Sequence, residues 1–430
     1  MPPTFSQHSA HFDAIRRAIL TAADPHAAVE RAWPGIDLAQ TRLIAFGKAS
    51  VPMAIAAVDL LGARLAVGVV VAPPELATDP SLSAHGLEVF AADHPLPTPR
   101  NIVAAQHVRQ MARLCPADQD LLLLVSGGGS AHLTLPAPPL SLDDLADVTN
   151  RLQRAGATIH ELNTVRKHSE QLKGGRLAAM SPARRVIALI LSDVVGDPLD
   201  VIASGPSVAD PTTFADALDV LTRHGVDAPA VRAFLEAGAR GDHPETPKPG
   251  DPALARSHTH IIASNTTALD AAAACVRSLG VRVHRIASGV EGEARAIGER
   301  LADEIASIAH DQRPAAIVLG GEPTVNVGAA KGRGGPSQEL ALAAACRLPP
   351  NARVTIMAFS TDGRDGPTDA AGAVVAADTL ARARARGHDP ERALASHDSH
   401  ALLDAAGALI RTGPTGTNVN HVVCAIAYAQ

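Results

Sequence analysis

The chain has 430 residues, of which 46% are hydrophobic and only 2% aromatic, and its formal net charge is −6 at pH 7. This length is sufficient for two or three domains with hydrophobic cores of their own. The acidic balance, the lack of a run of Lys and Arg and the scarcity of aromatic side chains argue against nucleic-acid binding, and no apolar run is long enough to cross a membrane.

The cysteines and the N-terminus indicate the cellular setting. The four cysteines lie far apart, without CxxC spacing, which argues against a zinc site and against a disulfide framework. The first twenty residues contain no apolar signal core. We therefore expect a cytoplasmic protein in a reducing compartment. A homo-oligomer is compatible with this sequence.

Apolar runs alternate along the chain with Ala-rich stretches typical of helices. The runs rarely alternate with polar residues, as expected for parallel strands that are covered by helices on both faces. Nine strands are predicted, at 42–47, 66–72, 120–126, 186–192, 260–264, 282–287, 315–321, 354–361 and 422–429. This order predicts an α/β fold with two doubly wound, mostly parallel-sheet domains and an interdomain cleft.

A stretch rich in Pro, Gly and charged residues interrupts this pattern at 241–257. We interpret it as a linker. The predicted domains are therefore 1–240 and 258–430.

Ligands of open α/β sheets bind at the carboxyl ends of strands, so the residues that follow each strand are the candidates for function. The first strand ends in Gly47 and Lys48, and this lysine either reaches an anion as a mobile charge or is a solvated residue at the start of a helix. The strand at 120–125 leads into Ser126-Gly127-Gly128-Gly129-Ser130. Backbone N–H groups and hydroxyls of such a loop can cradle phosphate, although a flexible turn has the same composition.

Carboxylates follow three other predicted strands. Asp193 follows the strand at 186–191, Glu322 follows the strand at 315–319, and Asp362 follows the strand at 354–360. Carboxylates at strand ends suit Mg²⁺, which is held largely through waters and substrate phosphates. Helix caps and turns use the same residues.

Two further loops lie in the second half of the chain. Glycines surround Arg333 directly before a predicted helix that contains Gln338, an arrangement that predicts an anion site with backbone donors, a helix N-terminus and a guanidinium. A surface hairpin is the alternative. The loop at 412–420 carries Thr415 and Asn418, whose hydroxyl and amide suit hydrogen bonds to a nucleotide or serve a structural turn.

Several of these segments are long and occur in a characteristic order. They are VSGGGSA, LNTVRKHSEQLKGGRLA, LSDVVGDPLDVIASGPSVADPTTF, GGEPTV, GRGG followed by QEL, STDGRDGPTDAAGAVV and TGPTGTNVN. In this order they resemble the glycerate 2-kinase family with its C-terminal MOFRL domain. The resemblance covers roughly residues 10–428.

The resemblance implies transfer of the γ-phosphate of ATP to the 2-hydroxyl of D-glycerate, with Mg²⁺. It assigns catalysis to Lys48 and Arg333. We predict that these two residues and Gln338 also bind the substrate. The loop from Ser126 to Ser130, with Thr415 and Asn418, is then the nucleotide site. Asp193, Asp362 and Glu322 are the candidate metal ligands.

The chain departs from the family pattern at two places. Pro336 and Ser337 stand where the family has Arg-Asn, and His421 stands where a carboxylate is expected. These changes bear on which acceptor is used. The alternatives are a hydroxypyruvate reductase, a label that relatives have often carried, and a non-catalytic nucleotide-binding protein. Neither glycine-rich loop matches the GxGxxG pattern of nicotinamide enzymes.

Overall fold

The computed structural model describes residues 4–328 and 330–429. Within them the strands β1 to β12 are Thr41–Phe46, Leu65–Ala72, Glu88–Ala91, Asp120–Val125, Arg185–Leu191, Ser257–Ala263, Arg282–Glu293, Ala315–Thr324, Val354–Ser360, Gly372–Ala376, Leu409–Ile410 and His421–Ala427. The helices α1 to α17 are His8–Ala22, Pro25–Ala32, Ser50–Leu61, Pro80–Ala84, Pro99–Arg113, Gly129–His132, Leu142–Arg154, Ile159–Ser169, Arg176–Ala179, Phe214–Arg223, Pro229–Ala239, Asn265–Ser278, Ala294–Ser307, Pro336–Arg347, Thr379–Arg384, Pro390–Ala395 and Ser399–Ala405. No helix in this part of the chain is long and apolar enough to traverse a bilayer.

The chain forms two compact units. The larger unit is Pro25–Ile262, and the smaller unit combines the described residues up to Asp24 with those from Ala263 onward. The α/β fold class is confirmed in both.

The larger unit contains a six-stranded sheet in the order β3-β2-β1-β4-β5-β6. From β3 to β5 every neighbouring pair is parallel. The central strand β4 is buried along its whole length, because helices cover both faces of the sheet. The strand order reverses between β1 and β4, so the carboxyl ends of these two strands form the topological switch point where such sheets bind ligands.

The smaller unit contains a second six-stranded sheet, in the order β11-β10-β9-β12-β8-β7. Here β7 and β8 are parallel, whereas β12 runs antiparallel to both β8 and β9, and β10 runs antiparallel to β9. This sheet is therefore mixed, not mostly parallel as the sequence indicated. Uniformly apolar strands such as β12 do not reveal their direction, because burial on both faces removes the alternation in either case.

The structure places the domain boundaries differently from the sequence-based prediction. The stretch at 241–257 is packed into the larger unit, where Thr246 Oγ1 donates to the buried carboxylate of Asp210 at 3.0 Å and Glu245 accepts from the backbone of Phe214 at 2.9 Å. The predicted strand at 260–264 corresponds to β6, at the edge of the larger unit's sheet. This stretch is part of the larger unit and not a linker, because its polar groups form hydrogen bonds with buried groups of that unit.

The N-terminal helix also departs from the expected division. Helix α1 belongs to the smaller unit, where His11 Nδ1 lies 3.2 Å from the hydroxyl of Tyr428. Phe12, Ile15 and Ile19 form its buried stripe. Nothing in the local pattern of α1 shows which sheet this stripe will cover.

Candidate active site

The loops that follow β1 and β4 are bonded to each other at the switch point. The backbone N–H of Lys48 donates to the carbonyl of Gly127 at 2.8 Å, and that of Ala49 donates to Ser126 Oγ at 3.0 Å. Ser126 N–H in turn donates to Phe46 at 3.1 Å. The two loops predicted from sequence to bind phosphate are therefore one structural feature.

Two glycines in this feature have conformations or neighbours that a side chain would not allow. Gly128 has a φ of +82°, and a Cβ built there would lie 3.1 Å from His94 and 3.3 Å from Lys48. A Cβ on Gly127 would lie 1.9 Å from Oδ2 of Asp193. Asp193 thus packs directly on the glycine loop, and Lys48 and His94 border it.

The glycine loop retains backbone donors for a ligand. Within the described part of the chain, the N–H groups of Gly127, Gly128 and Ser130 donate no hydrogen bond. The side chain of Lys48 is exposed beside them. Backbone donors with an adjacent ammonium can bind an anion such as a phosphate.

The titratable side chains beside the glycine loop have shifted pKa values. Burial raises the pKa of the Asp193 carboxyl, and the ammonium of Lys48 opposes that effect. Desolvation, followed by the charge of Lys48, lowers the pKa of His94. Burial, with a smaller effect of His94, lowers the pKa of His132 to about 4. His132 Nδ1 accepts from the N–H of Gly47 at 3.1 Å, as a neutral imidazole can.

A network of hydrogen bonds holds the C-terminal end of the glycine loop, at Ser130. Ser204 Oγ donates to Asn163 Oδ1 at 3.0 Å, so the 2.8 Å contact between Ser130 and Ser204 has Ser130 as its donor. Lys173 is almost fully buried and donates to the carbonyl of Ser130 at 2.7 Å and to Glu170 at 2.9 Å. This network fixes the position of Ser130.

Sequence reasoning missed His94, His132, Asn163, Lys173 and Ser204. A signal existed for Lys173, because the chain contains only five lysines against 33 arginines. Two of those five, Lys167 and Lys173, lie in one short segment and are both buried. The histidines had no comparable signal.

In the smaller unit, a carboxylate of the protein itself occupies the predicted anion site at the start of α14. Asp365 accepts from the backbone N–H of Ser337 at 2.9 Å and from that of Gln338 at 2.8 Å. Burial raises the pKa of Asp365 to about 6, and these two hydrogen bonds oppose the increase. The expectation that the helix N-terminus receives an external anion is therefore corrected.

Arg333 has a fixed backbone and an exposed side chain. Its N–H donates to Asp398 at 3.1 Å, and its carbonyl accepts from the N–H of His400 at 2.9 Å. A Cβ on Gly332 or Gly334 would lie 2.2 Å from the segment at 396–399. The glycines thus serve close backbone packing, and the guanidinium remains available to a ligand.

Three other predicted contact residues form hydrogen bonds within the protein. Gln338 is fully buried, and its amide donates to Asp365 at 3.0 Å and to Thr368 at 3.0 Å. The hydroxyl of Thr415 donates to the carbonyl of Thr361 at 2.5 Å. Asn418 Oδ1 accepts from the N–H of Asn420 at 3.0 Å. We leave Gln338 out of the proposed site because a fully buried amide does not meet a substrate from solvent.

The residues that depart from the family pattern lie together. Pro336 is the first residue of α14, where a missing N–H has no cost. Ser337 Oγ lies 2.7 Å from His421 Nδ1. Burial lowers the pKa of His421 to about 4, so this histidine is neutral near pH 7.

The three candidate metal ligands have different surroundings. Asp193 is at the glycine loop, Glu322 is exposed on β8, and Asp362 Oδ1 accepts from Ser360 at 2.7 Å and from the N–H of Arg364 at 2.9 Å. Across residues 4–328 and 330–429, no three His, Cys, Asp or Glu side chains form a cluster that could hold a metal.

Two family models match the chain. The model described as a domain of unknown function (DUF4147) covers residues 11–236, and the MOFRL family model covers residues 315–421. The first includes the glycine loop, and the second includes Arg333.

Known proteins match nearly the full length. The D-glycerate 2-kinase of Thermotoga maritima is 38% identical over 415 residues, which are 95% of this chain and 96% of that protein. A relative from Agrobacterium vitis is 40% identical over 413 residues, 94% of this chain and 91% of the relative, and carries the provisional name hydroxypyruvate reductase. The crystal structure of glycerate kinase from Thermotoga maritima superposes with a TM-score of 0.89 at 36% identity, over 98% of this chain and all of that one.

Proposed function

Because this chain belongs to the glycerate 2-kinase family with its MOFRL domain, we propose that it is an ATP-dependent kinase that phosphorylates the 2-hydroxyl of D-glycerate. The products are 2-phosphoglycerate and ADP. In the transfer, the glycerate oxygen forms a bond to the γ-phosphorus, the bond from that phosphorus to the β-phosphate oxygen of ATP breaks, and the hydroxyl proton is released.

The observation that carries the proposal is the arrangement at the switch point. Lys48 and the free N–H groups of Gly127 and Gly128 converge beside the carboxylate of Asp193. Phosphoryl transfer needs little covalent chemistry from a protein and depends on positioning and charge stabilisation. In our proposal, the loop from Ser126 to Ser130 holds the phosphates of ATP, and Lys48 stabilises the negative charge on the transferred group.

The donor set at the glycine loop also fits Mg²⁺. Asp193 offers a carboxylate beside the loop, and Mg²⁺ is commonly held by one or two carboxylates together with substrate phosphates. Asp193 would hold the ion, which would neutralise charge on the phosphates when bound. Asp362 and Glu322 stay predictions as further ligands.

In the smaller unit, we assign a catalytic role to Arg333. A guanidinium can bind two oxygens of a phosphate or carboxylate at once, and the backbone of Arg333 is fixed by Asp398 and His400 while its side chain is exposed. Nucleotide contacts by Thr415 and Asn418 stay predictions.

An assay of ADP release tests the proposal against its rivals. The protein is incubated with ATP, Mg²⁺ and D-glycerate, and ADP is measured by a coupled reaction. We expect ADP release that depends on D-glycerate. In parallel, hydroxypyruvate is supplied with NADH or NADPH. Consumption of the reduced nicotinamide without ADP release would favour a reductase, and ATP binding without either turnover would favour a non-catalytic protein.

We also propose that the enzyme works in the cytoplasm. All four cysteines are free thiols, which supports a reducing compartment. A homo-oligomeric state stays a prediction, which light scattering on the purified protein would check.

A further inference from the structure

The side chain of Arg166 on α8 lacks a partner. It is half-buried, and within the described part of the chain it makes no hydrogen bond or ion pair. Its guanidinium has only a longer-range attraction to Glu170. Removing a charge from water without a partner costs free energy. A protein that keeps such a group in place has a use for it.

The carboxylates near α8 are already engaged by other donors. Lys167 donates to Asp200 at 3.0 Å and to Asp210 at 3.3 Å. Glu170 accepts from Lys173 at 2.9 Å and from the N–H of Leu135 at 3.1 Å. Lys167 and Lys173 thus take up these three carboxylates, and Arg166 is left beside the Glu170–Lys173 pair without a carboxylate of its own.

Arg166 lies between two residues of the network that supports the glycine loop. One helical turn before it, Asn163 accepts from Ser204, which contacts Ser130 at 2.8 Å. One turn after it, Glu170 holds Lys173, which donates to the carbonyl of Ser130. Residues three apart share a helix face, so Arg166 lies on the same face of α8 as Asn163, and Glu170 directly follows the last residue of the helix. Burial lowers the pKa of the Lys173 ammonium, and the charge of Arg166 adds to this effect.

We propose that Arg166 binds the carboxylate of the hydroxy-acid substrate and so selects acids over uncharged polyols. This inference rests on the proposed kinase function. A carboxylate between Arg166 and the Ser130 region would place the adjacent hydroxyl near the phosphates that we assign to the glycine loop.

Two features favour a carboxylate over a phosphate of ATP at Arg166. The glycine loop already offers Lys48 and free N–H groups for phosphate. Arg166 lies on α8, outside that loop, and its planar fork can pair with a planar carboxylate through two parallel hydrogen bonds.

The test compares D-glycerate with D-glyceramide, in which an amide replaces the carboxylate and the 2-hydroxyl is kept. We expect the unaltered enzyme to prefer D-glycerate strongly. Arg166→Met should raise KM for D-glycerate by about 30-fold or more, a loss typical of a hydrogen bond to a charged group, and should leave KM for ATP unchanged. The preference over D-glyceramide should nearly vanish. Arg166→Lys keeps the charge without the fork and should fall between the two.

Stability separates binding from a structural role. Because Arg166 has no partner, Arg166→Met should leave the thermal midpoint unchanged or raise it. Arg151→Ala serves as the control, because Arg151 is exposed and its ion pair is with Asp147 on its own helix. This variant should change neither KM value.

Three results would overturn the inference. They are an unchanged KM for D-glycerate in Arg166→Met, a rise in KM for ATP instead, and a retained preference for D-glycerate over D-glyceramide. If the unaltered protein shows no kinase activity, the proposed function has failed and calorimetric titration without ATP decides about Arg166. If the unaltered protein binds D-glycerate and Arg166→Met does not, the inference is supported. If Arg166→Met still binds D-glycerate, or if the unaltered protein does not bind it, the inference is rejected.

Discussion

Lys48 and Arg333 are exposed cations on backbone that neighbouring loops hold in place. Lys48→Ala and Arg333→Ala should each lower kcat/KM by about a hundredfold or more, a loss near 3 kcal/mol of transition-state stabilisation. Circular dichroism should show both variants folded, because neither side chain is buried. Lys48→Arg should recover part of the activity. Arg300→Ala, which removes an exposed arginine on α13 of the smaller unit, serves as the control.

A folded variant of either residue with near-normal turnover would remove that residue from the catalytic assignment. The other assignment would stand, because the argument for each cation is independent.

Substitution of Gly128 tests whether the glycine loop binds the phosphates of ATP. A side chain there would be strained at a φ of +82° and would crowd His94 and Lys48. Gly128→Val should therefore weaken ATP binding, measured by calorimetric titration. Gly156→Val is the matched control, since Gly156 has a φ of +78° but no atom within 4 Å of its Cβ position. Equal affinity of both variants for ATP would place the phosphates elsewhere.

His132 gives a prediction about pH. Burial lowers its pKa from 6.5 to about 4, so the folded state favours the neutral ring. This preference stabilises the folded state at pH values above 6.5. The stabilisation is lost as pH falls towards 4, because His132 takes up a proton at a higher pH in the unfolded chain than in the folded chain. The shift corresponds to roughly 3 kcal/mol.

The measurement compares the protein with His132→Asn, whose amide oxygen can accept from Gly47 as Nδ1 does. Urea unfolding at pH 7 and at pH 4 gives the difference in free energy of unfolding between the two proteins. Groups that do not interact with His132 cancel in this difference, which should change by roughly 3 kcal/mol in favour of the variant at low pH. A difference that is independent of pH would contradict the buried, neutral state.

At the scale of elements, all nine strands expected from apolar runs are present, as β1, β2, β4 to β9 and β12. The strands that were missed are β3, β10 and β11, which have four, five and two residues. Such short strands depend on pairing with a neighbour, and a single segment does not contain that information.

The site elements were predictable only in part. The loops after β1 and β4 could be located because a glycine run after a buried strand is a local signal. The capping of α14 by Asp365 could not, since Asp365 is 28 residues from Ser337 along the chain. The same holds for the network from Ser130 to Asn163, which joins distant segments.

Lys173 connects the residue that follows α8, Glu170, to the glycine loop through its hydrogen bond to Ser130. Lys173→Met would leave Glu170 buried without its cation, and removing one partner of a buried pair costs about 3–5 kcal/mol. We expect a loss of that order in urea unfolding, with weaker ATP binding because Ser130 loses its support. The exposed Lys331→Met is the control. Unchanged stability would show that the pair does not hold the loop.

At the scale of the whole molecule, the chain leaves and re-enters the smaller unit, because α1 belongs there and the larger unit follows. The sequence predicted two α/β units but placed the N-terminal helix with the wrong one. Contacts such as that of His11 with Tyr428 join residues that are far apart in the sequence. The pattern of apolar residues within one segment does not predict such contacts. The expectation of an active site in an interdomain cleft stays a prediction.

The central claim is that the protein transfers phosphate from ATP to the 2-hydroxyl of D-glycerate. Phosphorus NMR of a reaction mixture with ATP, Mg²⁺ and D-glycerate tests it most directly, because coupling to carbon-bound protons distinguishes the two esters. We predict a doublet, from the single proton on C2 of 2-phosphoglycerate, together with the signals of ADP. A triplet from an ester on C3, or ATP that remains unchanged, would contradict the account.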